Sequence, residues 1–182
     1  MSILSDWRTQ RDRRRRATIY LSAITPAVTT SDANWLTAIA RGTDNARVMR
    51  ELQFVQRAVG LIVAERDALD DRTASDVAHQ LASVIDLEAT RDADAGRAWS
   101  ERWRAYTGAL AVRGSTEGPT TRLARVMLGA AGVHAPTAEQ LDRATQHVQS
   151  VRAAANEALR TAFGAASLPE DIAPSAVRSA LR

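Results

Sequence analysis

The sequence predicts an all-α protein: a compact bundle of five to six helices with a basic N-terminal arm. Three observations predict it. Apolar residues return at every third or fourth position from Val48 onward, helix-starting and helix-stopping residues bracket those runs, and strand signal is confined to one short stretch. Hydrophobic residues make up 45% of the 182, with only 9 Gly and 5 Pro, so the bulk of the chain has the apolar content of one folded domain. Charge divides it further. Residues 1–24 hold six Arg and two Asp, whereas the remainder holds 18 Arg and 19 acidic residues. The expected organisation is therefore an arginine-rich arm over 1–24, a helical bundle over 25–168, and a tail with a short helix over 169–182.

Each element follows from local chemistry. Ala17 to Thr25 is rich in β-branched and aromatic residues but has no second strand to pair with, so it is a helix, an extended arm or a strand donated elsewhere. A short helix is expected to begin after Ser31 or Asp32 and to end at Gly42, turning Trp35, Leu36 and Ile39 inward. The next runs from about Asp44 to Arg66. Its residues Val48, Leu52, Val55, Val59 and Ile62 form one stripe, and Phe54 and Leu61 a second flank, so it is the expected centre of the bundle.

A third helix opens near Thr73 and presents Val77, Leu81 and Val84. A fourth, from about Ala95 to Val112, carries Trp99, Trp103, Tyr106 and Leu110 on a narrow stripe. Gly118 and Pro119 start a fifth, with Leu123, Val126 and Met127 inward and Gly132 as its stop. Thr137 and Gln140 have capping-box spacing and open the last long helix, which reaches Phe163 before Gly164. Pro169 and Pro174 leave room for a terminal turn carrying Val177 and Leu181.

Composition excludes several function classes. The absence of Cys removes disulfides, thiolate metal sites and cysteine nucleophiles, and fits a reducing, cytoplasmic setting. All 24 basic residues are Arg, which removes Schiff-base lysine chemistry and a P-loop lysine. No apolar run approaches the roughly 20 residues of a membrane span. The sequence has no Glu-x-x-His pair, no nucleophile elbow and no phosphate-cradling glycine loop, so the expectation is a non-enzyme with neither cofactor nor metal.

The sharpest feature is the arm, where Trp7 precedes Arg8, Arg11, Arg13, Arg14, Arg15 and Arg16. Guanidinium groups stay charged and bind carboxylate or phosphate oxygens in pairs. The expected partners are other protein subunits or a second copy of this chain, with nucleic acid the alternative. One aromatic beside the run does not make a base-stacking platform. A membrane surface is disfavoured because Ile3, Leu4 and Trp7 make only a small apolar face. A turn between Leu123 and Val151 allows a helix-turn-helix, but its second helix opens with Glu139 and Asp142, the wrong sign for DNA.

Trp99, Trp103 and Tyr106 are expected in core or subunit interface. Glu88 falls about 20° from Val77, and Arg152 about 20° from Leu141, both in line with apolar stripes. Glu51 sits between Ala58 and Ile62 on its helix. A charge buried there needs a partner, so Arg152 is expected to pair with Glu88 or Glu51. The resulting functional expectation is a non-catalytic assembly or adaptor subunit that docks through its arm and an aromatic surface; the alternative is a nucleic-acid-binding protein.

Overall fold

The computed structural model describes residues 3–67, 71–112 and 114–164. All regular structure among them is helical: α1 (Ile3–Ile24), α2 (Thr30–Ile39), α3 (Asn45–Asp67), α4 (Asp71–Arg91), α5 (Ala93–Ala111), α6 (Pro119–Ala130) and α7 (Ala138–Phe163). No described helix is long and apolar enough to cross a membrane. Seven helices replace the expected five to six, and the added one is α1. Arginine is a good helix former, so a run of it continues a helix readily when its charges face water. The terminal turn expected over 169–182 lies outside the described residues.

α3 is the centre, packing against α2, α4, α5, α6 and α7. Val48, Leu52, Val55 and Val59 are buried, as are Phe54 and Leu61 on the second flank, because neighbours close on α3 from more than one side. Helix α1 packs on α4 and α7 and touches α3. Its residues Ala17, Tyr20, Leu21 and Ile24 belong to the common core. The boundary expected after residue 24 coincides with the end of α1, whose second half belongs to the common core.

The helix ends follow the capping chemistry in the sequence. Pro26 prevents α1 from continuing. Thr29 then caps α2, its hydroxyl accepting from the Asp32 N–H while the Asp32 carboxylate accepts from the Thr29 N–H. Asp32 is thus the third residue of the helix rather than the cap itself. Asp92 caps α5 directly after α4. Thr137 and Gln140 form the expected reciprocal box on α7. Gly132, at φ 92°, closes α6, and a Cβ there would lie 2.6 Å from the Thr43 hydroxyl oxygen. That hydroxyl and Arg47 bind the last carbonyls of α6, Thr43 at 3.1 Å to Ala131 and Arg47 at 3.0 and 3.2 Å to Ala130. The end of α6 is thereby tied to the start of α3.

Candidate functional site

At ~100° per residue, Arg8, Arg11 and Arg15 share one face of α1, and Arg14 and Arg16 flank it. This ridge lies opposite the Ala17, Tyr20, Leu21, Ile24 stripe, and all five arginines are exposed. Among the described residues, Arg8, Arg14, Arg15 and Arg16 have no ion-pair partner. The Arg11 guanidinium sits 5.5 Å from the centre of the Trp7 ring, which is itself 57% exposed. Arg13 differs. It falls on the inward side, is half-buried, and pairs with Asp76 of α4.

The inner face holds α1 in place. The Tyr20 hydroxyl donates to the Gly60 carbonyl at 2.6 Å, and Gln80 of α4 donates to the Arg14 carbonyl at 3.1 Å. Pairs 13 with 76 and 18 with 80 run in the same sense, so α1 and α4 lie parallel along this stretch. The helix that carries the ridge is thus seated in the bundle from Arg13 onward, and its preceding turn, with Arg8 and Arg11, is exposed.

The aromatic stripe of α5 is mostly interior. Trp99 and Tyr106 are buried and Trp103 is half-buried, with Trp99 and Trp103 stacked at 6.0 Å and Phe54 tilted on Trp99 at 5.8 Å. They bind helices together and offer little docking surface.

The three charges aligned with apolar stripes are not brought together. Glu51 is buried and accepts from Arg102 Nε at 2.7 Å and from the Tyr106 hydroxyl at 2.5 Å. Glu88 accepts two bonds from the buried Arg57, at 2.6 and 2.7 Å. Arg152 is exposed on α7. The predicted pairing fails because Arg152 falls on the exposed flank of α7, whose buried side continues through Ala155, Leu159 and Ala162, while Arg57 and Arg102 reach the carboxylates. Burial pushes the Glu51 carboxyl above its usual range, against the lowering effect of Tyr106 and Arg102. Burial also raises the Tyr106 hydroxyl well above its usual value, reinforced by the Glu51 charge. This network joins α3 to α5 inside the core.

At the other end of α1, sequence reasoning missed a cavity of about 490 Å³. Its wall comes from the end of α1, the loop to α2, α2, α3 and α7. Trp35 and His147 meet there with ring centres 5.5 Å apart, and the Arg143 guanidinium lies 5.6 Å from the Trp35 ring centre. His147 is half-buried, and burial lowers its pKa against the opposing pull of Asp32. The available signal was Arg143 and His147 at i, i+4 on α7, a spacing that puts both on one patch. The chain matches no family model, no curated protein and no solved structure.

Proposed function

We propose that this protein is a non-catalytic assembly or adaptor subunit that docks onto an acidic surface of a partner protein through the arginine ridge of α1. One observation carries the reading: five exposed arginines lie along a helix whose other half is core, so the charge is presented on a rigid support. Pre-positioned groups lose less entropy on binding than a flexible tail does. Arginine next to exposed Trp7 is also the composition of protein-interface hot spots. The rest of the chain contributes a near-neutral surface, which favours a local acidic patch over a long polyanion. A cysteine-free chain suits the cytoplasm.

The test is native purification of the chain from its source cell, compared with a variant carrying Arg8→Glu, Arg11→Glu and Arg15→Glu. Docking predicts protein subunits that co-purify at physiological salt with the wild type and are lost from the variant. Binding of unrelated DNA or RNA that weakens steeply with salt, without protein partners, supports the nucleic-acid alternative instead.

A further inference from the structure

The cavity beneath the α1 to α2 loop is a built pocket that the docking reading leaves unused. Its volume of about 490 Å³ falls within the range of small-molecule sites, roughly 300 to 1,000 Å³. The floor is apolar, made by Ile24, Val28, Leu52, Val151 and Ala155. Asp32, His147, Ser150 and Gln56 add polar groups to the same wall. An apolar bowl with a few polar groups binds molecules that have one greasy body and one polar head.

The chemistry of that head follows from the polar groups. Asp32 uses Oδ2 to accept from the Thr29 N–H at 3.0 Å and from the Thr29 hydroxyl at 2.7 Å. Its Oδ1 has no hydrogen-bond partner among the described residues. The Thr29 bonds also hold the carboxyl below its ordinary range, so it is a carboxylate at neutral pH. Neutral His147 offers one acceptor nitrogen, and Ser150 offers a hydroxyl. Arg143 lies against Trp35 but is not part of the cavity wall, which contains no basic side chain other than His147. The wall therefore presents one negative charge beside groups that both donate and accept, His147, Ser150 and Gln56, and a cationic N–H head group complements that charge.

We infer that this pocket binds a small apolar amine, with the ammonium on Asp32 Oδ1 and the hydrocarbon body against Ile24, Leu52 and Val151. Asp32 is exposed to water, so its ion pair supplies orientation and a modest preference while burial of the body supplies most of the affinity.

The probes are adamantylamine, adamantanol and adamantane carboxylate, three rigid bodies differing in the head group. They are titrated into the full chain and followed by amide and indole NMR shifts. The expected result is saturable shifts at Trp35, His147 and Val151, with dissociation constants on the order of millimolar for so few atoms. The amine should bind about two- to five-fold more tightly than the alcohol, with the carboxylate weakest. Asp32→Asn should bring amine and alcohol to equal affinity. Ala154→Trp, at an exposed rim position, should block all three without disturbing the fold. Absence of shifts with every probe would overturn the pocket. Equal binding of amine and alcohol by the wild type, or tighter binding of the carboxylate, would overturn the amine class.

Discussion

Helices α1 and α3 are nearly equal in length, at 22 and 23 residues, and both carry charges along a partly apolar sequence, yet they use charge in opposite ways. On α3, Glu51 and Arg57 are buried, and each is answered by a side chain from a neighbouring helix. On α1, the five arginines of the ridge point away from the core, and none of them has an ion-pair partner among the described residues. A buried charge costs several kcal/mol unless paired, so α3 can keep its charges only by fixing the register of α4 and α5 around them. Charges in water have no such obligation. The ridge is thus free to serve recognition, whereas the α3 pairs serve assembly of the fold.

The largest expected effects fall where α1 behaves like α3. Tyr20→Ala removes a fully buried ring and its bond to Gly60, and should cost about 3 to 5 kcal/mol by chemical denaturation. A stability change below 1 kcal/mol would mean that this half of α1 is a detachable arm after all. Glu51→Ala leaves Arg102 and Tyr106 without their acceptor. We expect a loss of about 3 kcal/mol, the lower end for a broken buried pair, because Arg102 keeps partial access to water.

Gly60→Ala tests the contact between the two helices directly. A Cβ there would lie 2.4 Å from Ile24 Cδ1 and 3.1 Å from Ile24 Cβ. Overpacking of this kind costs about 1 to 3 kcal/mol, and Ile24→Ala in the same chain should recover part of the loss. A smaller effect is a pH slope. The native Glu51 carboxyl titrates above the ordinary value of 4.5, so in the interval between the two values the folded chain holds a proton that the unfolded chain has released. Stability from this group therefore falls as pH rises through that interval and levels off above it. Subtracting the pH profile of Glu51→Gln from that of the wild type isolates the slope; a difference that stays flat would show that the carboxyl is not perturbed.

The sequence revealed α3, α6 and α7 well because their stripes and stop signals agree: Val48 to Val59 on one face, Pro119 at a helix start, Thr137 with Gln140 at another. It revealed α1 poorly. Charge density from Arg8 to Arg16 obscured the fact that Tyr20, Leu21 and Ile24 continue the same helical rotation as the arginines. The ion pairs were half legible. Stripe geometry identified Glu51 and Glu88 as carboxylates needing partners, but choosing Arg57 and Arg102 over Arg152 requires knowing which helices adjoin, a long-range property absent from any one stripe. The cavity was least legible, since Asp32, Trp35 and His147 come from segments over 100 residues apart, and only the folded chain unites them.

The smallest expected stability change belongs to the ridge. Arg8, Arg11 and Arg15 are exposed and lie opposite the buried stripe, so replacing them with Ala removes no core contact. Exposed substitutions of this kind usually shift stability by no more than about 0.5 kcal/mol, and relief of mutual repulsion among six neighbouring guanidiniums makes a slight gain as reasonable as a slight loss. Arg13→Ala is the internal control, because it breaks the half-buried pair with Asp76 on the same helix. It should cost more than any ridge residue, by about 0.5 to 1 kcal/mol, while leaving the five outward charges available. Denaturation midpoints measured beside partner binding then separate the two halves: the ridge variants should lose binding at unchanged stability, and Arg13→Ala should lose stability at nearly unchanged binding. If both fall together in every variant, α1 is a single structural element and its exposed charges do not form a separate recognition surface.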